Sequence, residues 1–236
     1  KTDQGKIRKD NQDSFAAGEL PGGVVWAVVC DGMGGAAGGS VASQTAVKMI
    51  SEKIASGYQY GMSDKSIKNL LTSVVESANS SIYEMSCSVE SLNGMGTTVV
   101  VSVIRDKELY LVHAGDSRAY RVTKDSITQL TRDHSVVQEM VRRGELTYEQ
   151  AQNHPNKNFI TRALGIKPSV RLDYIEANFI YGDVLLICTD GLSNCVTTGD
   201  MVKICHENRG EGLITKLVDK AKDGGGSDNI TATVIY

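Results

Sequence analysis

The stretch Val24-Val25-Trp26-Ala27-Val28-Val29-Cys30-Asp31-Gly32 decides the reading of the fold. Seven apolar residues in a row, mostly β-branched, make a strand rather than an amphipathic helix. The run is far too short to span a membrane. It stops at an aspartate followed by glycine, the residues of a turn.

Similar runs recur outward from it. Strands are expected near Asp13–Ala17, Thr97–Ile104, Leu109–His113, Ala119–Val122, Val170–Asn178, Val184–Cys188 and Thr231–Ile235. Several are separated by short turns, such as Arg105-Asp106-Lys107 and Thr123-Lys124-Asp125. Strands joined this way are antiparallel. Helices are expected at Ser40–Ala55, Lys65–Ser91, Val136–Arg143, Thr147–Gln152, Asp200–Asn208 and Gly212–Lys222. In the second, Leu70, Leu71, Val74, Val75, Ala78 and Ile82 repeat at helical spacing, so one face is apolar. The long helices sit together instead of following each strand. The pattern is α+β: two antiparallel sheets packed face to face, flanked by helices. No linker divides residues 1–236, which read as one domain, with a polar, partly helical subregion at 133–165.

Composition removes several classes. Lys and Arg number 25 against 28 Asp and Glu, a net charge of −3. That balance gives no global reason to bind nucleic acid or an anionic membrane. Cys30, Cys87, Cys188, Cys195 and Cys205 form no Cys-x-x-Cys pair, and an odd, irregular set reads as free thiols in a reducing compartment. No signal peptide is visible, so a cytoplasmic location is expected.

The chemistry lies where aspartates meet strand ends. Asp31 closes the quoted run. Asp190 closes Val184-Leu185-Leu186-Ile187-Cys188-Thr189, and Asp116 follows Leu109–Ala114. Asp228 precedes the last strand and Asp13 opens the first. Two readings stand side by side. Asp and Gly form turns, and strands end in turns. Alternatively, these ends converge into a carboxylate cluster, which needs a cation to offset its repulsion. Oxygen donors of this kind suit Mg²⁺ or Mn²⁺, and the sequence has no Cys-rich or His-rich spacing for zinc. A two-metal carboxylate site is suited to phosphoryl hydrolysis, with an arginine such as Arg8 for the phosphate oxygens. Spacing alone does not say whether the strand ends share a side.

The ordered set of motifs does more. Arg8-Lys9-Asp10-Asn11-Gln12-Asp13, Cys30-Asp31-Gly32-Met33-Gly34-Gly35, Gly94-Met95-Gly96-Thr97-Thr98 and Ala114-Gly115-Asp116-Ser117-Arg118 come first. Leu130-Thr131-Arg132-Asp133-His134-Ser135, Ile160-Thr161-Arg162-Ala163-Leu164-Gly165, Cys188-Thr189-Asp190-Gly191 and Gly226-Ser227-Asp228-Asn229 follow. In this order the chain resembles the metal-dependent Ser/Thr protein phosphatases of the 2C type, in their compact bacterial form. The resemblance spans essentially the whole chain. It implies two bridged Mn²⁺ or Mg²⁺ ions. Asp31 would bridge both, Asp13 and the Gly32 carbonyl would complete one, and Asp190 and Asp228 would bind the other. Asp116 with Asp190 would hold a weaker third. Arg8 would bind the substrate phosphate, and residues 133–165 would form a flap beside the site. The implied reaction is hydrolysis of phosphoserine or phosphothreonine by a metal-activated water, opposing a Ser/Thr kinase. A monomer is the default, with phosphorylated proteins as partners.

Four positions depart from patterns known in this family. Met33 stands where many eukaryotic members have a proton-donating His. Gln12 replaces a frequent Glu, Ala36 a frequent His, and Asn194 an acid of the third site. The alternative from another class is a catalytically silent, phosphatase-like interaction domain, which the presence of every central carboxylate opposes. Gly32-Met33-Gly34-Gly35-Ala36-Ala37 also mimics a dinucleotide fingerprint, but a polar stretch and then a second helix follow where a strand is required. His113 reads as a packed or solvent-facing strand residue.

Overall fold

The computed structural model describes residues 1–35 and 38–236, and Ala36 and Ala37 fall within the first helix. Eleven strands build two antiparallel sheets. The first contains β2 (Asp13–Leu20), β3 (Val24–Met33), β5 (Val99–Arg105), β6 (Glu108–Ala114) and β9 (Asp173–Asn178), in the order β2-β3-β5-β6-β9. The short β4 (Gly96–Thr97) pairs with the end of β3. The second runs β1-β11-β10-β7-β8, from β1 (Thr2–Asp3), β7 (Arg118–Val122), β8 (Ile127–Gln129), β10 (Val184–Cys188) and β11 (Ile230–Ile235).

Strand alternation creates the layers. Along β3, Ala27 and Val29 face the second sheet, while Val28 and Cys30 face helices. Along β10, Leu185 and Ile187 meet the first sheet, and Leu186 and Cys188 face the opposite helices. Both faces of β3 and β10 are largely buried, which explains their unbroken apolar runs. Helices α1 (Gly35–Gly57) and α2 (Asp64–Ser88) cover the first sheet through Ile50, Ile54, Leu71 and Val75. Helices α5 (Asp190–Ser193), α6 (Thr198–Glu207) and α7 (Gly210–Asp223) cover the second through Leu192, Cys205, Leu213 and Leu217. The result is the expected four-layer α-β-β-α sandwich. Burial of these side chains, at about 25 cal/mol per Å² of apolar surface, is its main driving force.

Some boundaries differ from expectation. The first helix starts at Gly35 rather than Ser40, because it begins at Gly34 in the left-handed region (φ 110°) directly after β3. The strand expected over Val170–Asn178 starts only at Asp173. The expected Thr97–Ile104 strand is two pieces, broken at Thr98. Strands β1 and β8 and helix α5 were not expected; they span two, three and four residues, too short for a periodic signal. Helix α1 leads directly to α2, so no βαβ unit follows the glycine-rich loop. Segment 133–165 carries α3 (Val136–Arg142) and α4 (Tyr148–Gln152).

Candidate active site

The carboxylates come from both sheets. Asp13 and Asp31 are direct partners in the β2–β3 register, at the strand ends. Asp190 is the first residue of α5, after β10, and Asp228 immediately precedes Asn229 and β11. Asp116 lies in the turn between β6 and β7, the strands that carry the chain from one sheet to the other. One cavity of about 510 Å³ is lined by Asp31, Gly32, Asp116, Asp190, Asp228 and Arg8. The strand ends do share a side.

Their supports are specific. The buried Asp13 accepts from the Thr189 hydroxyl at 2.9 Å, and its other oxygen has no hydrogen-bond partner. The Asp31 carbonyl accepts from the Thr98 N–H and the Thr97 hydroxyl, both at 2.9 Å, and the Asp31 N–H donates to the Thr98 hydroxyl. Asn229 ties the entry loop together: its side-chain amide donates to the Gln4 and Asp10 carbonyls, and its Oδ1 accepts from the Gln12 N–H. Gly32 is required by close packing, since a Cβ there would strike the Gly39 and Gln12 carbonyls. Gly191 is held the same way against the Asn229 carbonyl.

The electrostatics suit a bound cation. Burial first, and then its neighbours Asp190 and Asp228, push the Asp13 carboxyl up to about 7. Loss of hydration and the charges of Asp13, Asp190, Asp116 and Asp228 raise Asp31 well above the usual carboxylate range. Burial and then Asp190 push Asp116 up to about 7. Burial and then Asp228 also raise Asp190. Carboxylates that oppose one another's ionisation form a site for positive charge. With all-oxygen donors and one buried carboxylate oxygen unpartnered, the residues present fit hard divalent ions. Arg8 lies at the same cavity and pairs with Asp228 at 2.7 Å.

The family model of protein phosphatase 2C matches residues 6–217. The chain belongs to the protein phosphatase 2C family. It is 36% identical over 239 residues to the serine/threonine phosphatase stp of Listeria innocua, covering all of this chain and 93% of that one. The S. agalactiae serine/threonine phosphatase structure superposes with a TM-score of 0.92 at 33% identity, covering 99% of this chain and 96% of that one. The catalytic domain of the phosphatase PstP, solved in complex with two manganese ions, gives 0.85 at 32% identity over all of this chain and 96% of that one. This chain is therefore a Ser/Thr protein phosphatase of the 2C type, acting on phosphorylated proteins.

The departures from pattern find their places in the phosphatase. Asn194 donates to the Asp190 carboxylate at 3.1 Å, so it orients that acid rather than adding a charge. Gln12 donates from its side chain to the Gly35 carbonyl, bracing the glycine-rich loop. Ala36 lies outside the described residues. His113 is buried, not solvent-facing, and its ring stacks on His134 with centroids 4.6 Å apart. Sequence reasoning singled out neither Thr98, Thr189 nor Asn229 as a support. Each stands beside a motif aspartate in three dimensions, and that adjacency is the available signal. Among the described residues no helix is long and apolar enough to cross a membrane.

Proposed function

We propose that the phosphatase hydrolyses phosphoserine and phosphothreonine at a dinuclear Mn²⁺ or Mg²⁺ centre held by Asp13, Asp31, the Gly32 carbonyl, Asp190 and Asp228. Asp31 would be shared by the two ions, and Asp116 with Asp190 would hold a weaker third. The observation that carries this reading is the convergence of carboxylates from two sheets: Asp31, Asp116, Asp190 and Asp228 line one cavity, and Asp13 is the register partner of Asp31. The ions supply an activated water and neutralise phosphate charge.

The chain's own residues do the rest. Arg8 sits at the cavity mouth and exchanges its bond to Asp228 for the phosphate oxygens, a charge-assisted contact. Thr98 holds the Asp31 backbone by accepting its N–H, and Thr189 donates to the Asp13 carboxylate, so both acids are placed in advance of binding. Met33 has no proton to give, and no histidine is among the described residues lining the cavity. The leaving oxygen takes its proton from solvent.

A protein substrate needs room beyond its phosphate. A groove of about 1040 Å³ adjoins the cavity, sharing Asp116, Asp190 and Asn158 with it. It runs between segment 133–165 and the start of α6, with Arg132, Arg142 and Lys157 on its walls. Segment 133–165 acts as the flap over this path, within a single phosphatase domain spanning residues 1–236. Phosphoserine and phosphothreonine arise by kinase transfer, so a Ser/Thr kinase supplies the substrates. Five free cysteines support a reducing, cytoplasmic setting. The enzyme acts as a monomer.

The test is release of phosphate from p-nitrophenyl phosphate and from a phosphothreonine peptide, with Mn²⁺ and with EDTA. Metal-dependent release from both supports the reading. No release from a protein that binds Mn²⁺ would instead mark a silent interaction domain.

A further inference from the structure

The turn that carries Asp116 is held by a side chain from the other end of the neighbouring loop. His134 is buried. Its backbone N–H donates to the Gly115 carbonyl at 2.9 Å, and its ring Nδ1 accepts from the Gly115 N–H at 3.1 Å. One residue therefore takes both polar groups of the residue just before Asp116. Gly115 is in the left-handed region (φ 115°), and a Cβ there would press into Thr98. Its conformation depends on outside partners. The His134 carbonyl in turn accepts from the Thr161 N–H at 2.7 Å, at the far stem of the flap segment. The second ring nitrogen, Nε2, lies 3.2 Å from the Asp173 carboxylate at the start of β9.

A metal ion is the first occupant to weigh here, because ligand atoms of His113, His134 and Asp173 lie within 4.8 Å of one another. The hydrogen bonds speak against it. Nδ1 of His134 already accepts an N–H, so the neutral ring carries its proton on Nε2, facing Asp173. An ion on Nε2 would require loss of the one proton the neutral ring carries. The Arg162 guanidinium, 3.0 Å from Nε2 and 2.7 Å from Asp173, places a fixed positive charge where the ion would sit. Burial first, then the neighbouring ring, push His113 down to about 4, so it serves as a neutral slab beneath His134.

We propose that His134 is a positioning residue for Asp116, clamping the Gly115 peptide so that the Asp116 carboxyl stays aimed into the cavity it shares with Asp190. The inference rests on Asp116 being a ligand of the third, weaker cation. The clamp also links that carboxylate to the flap stem, through Thr161, and to the edge strand, through Asp173. Neither link is visible from the distance in sequence.

Two near-isosteric variants separate this role from simple folding. In His134→Asn the amide oxygen falls near the Nδ1 position and keeps the acceptor for Gly115. In His134→Gln the polar end falls near Nε2, keeping the side toward Asp173 and losing that acceptor. Mn²⁺ binding to the full chain is measured by titration calorimetry, with Asp116→Asn as reference. The wild type is expected to show two tight ions and one weak. His134→Gln should weaken the weak event about fivefold or more, the size expected when a buried N–H loses its acceptor. His134→Asn should stay within about threefold of wild type by the same reasoning, and the tight events should not move in either variant. Equal weak-event affinity in His134→Gln and His134→Asn overturns the clamp while leaving the Asp116 reading intact. A wild type that matches Asp116→Asn, with no weak event, overturns both.

Discussion

The Thr189 hydroxyl donates to the Asp13 carboxylate at 2.9 Å, joining the end of the second sheet to the start of β2 in the first. The same hydroxyl oxygen accepts from the Thr231 N–H at 3.0 Å. One side chain thus fixes the separation of the two sheets at the metal-binding edge. Thr189→Val keeps the shape and removes both bonds. A hydrogen bond to a charged group contributes about 1.5–3 kcal/mol, so Mn²⁺ affinity should fall roughly 10- to 100-fold. Titration calorimetry checks it, and unchanged affinity would remove Thr189 from the site.

Asp31 lies among four other acids that raise its carboxyl well above the usual range, after the effect of lost hydration. Asp31→Asn removes one repelling charge and, on the proposed reading, one metal ligand. At about pH 8 the metal-free variant should be more stable than wild type, because the wild type must either hold that charge unneutralised or take up a proton to remove it. A gain of about 1 kcal/mol corresponds to some 2–4 °C in Tm for a chain of this size. Mn²⁺ should then add less stability than it adds to the wild type, and phosphatase activity should vanish. Thermal unfolding with and without Mn²⁺ tests both halves. A variant that melts lower than metal-free wild type contradicts the repulsion argument.

Asp13 and Asp116 are each pushed up to about 7 by burial and neighbouring acids. A carboxyl with a raised folded-state pKa stabilises the metal-free fold below its ordinary value near 4. That contribution is lost as pH rises through about 7. Cation binding requires the deprotonated form, so affinity grows over the same window. The rise in Tm caused by Mn²⁺ should be small near pH 5 and large near pH 8. An equal rise at both values would place the titrating groups elsewhere.

Arg8 and Asp228 pair at 2.7 Å, with Arg8 more than half exposed. On the proposed reading the guanidinium and a divalent ion would compete for the same carboxylate. Arg8→Ala should raise KM for p-nitrophenyl phosphate about tenfold, as expected on losing a charge-assisted contact. Its Mn²⁺ affinity should hold or rise slightly. Weakened Mn²⁺ binding would show that Arg8 supports the metal centre rather than the phosphate.

The groove beside the cavity carries Arg132, Arg142 and Lys157. Glu139 contacts both arginines, at 3.5 and 2.9 Å, so these three basic side chains outnumber that one acidic partner, while Asp116, Asp133 and Asp190 also line the groove. Peptides with acidic residues beside the phosphothreonine should be preferred. Exposed pairs contribute roughly 0.2–1 kcal/mol, so Arg142→Ala or Lys157→Ala should lower kcat/KM on such peptides by up to about fivefold. Turnover of p-nitrophenyl phosphate should not change. Equal losses on both substrates would place these residues outside the substrate path.

Much of this was legible from residues alone. Strands such as β3 and β10 declare themselves because both faces are buried, so apolar runs are unbroken and end sharply at Asp31 and just before Asp190. Asp13, Asp31, Asp116, Asp190 and Asp228 stand out because each falls at such an end. Shorter elements were silent. Helix α5 spans four residues and shows no period, yet it sets Asp190 at the cavity. His113 was readable as a packed residue but not as one face of a stack with His134, 21 positions away.

The sequence by itself determined the layer pattern, the acid inventory and the family, because periodicity and motif order are properties of neighbours along the chain. Tertiary structure decided which side those acids share, and that Asp13 leans on Thr189, 176 residues away. It also decided that Arg8 rests on Asp228 and that His134 grips Gly115. Hydrogen bonds and charge repulsion act over a few ångströms in space. Linear order carries no record of such distances until two sheets have packed face to face.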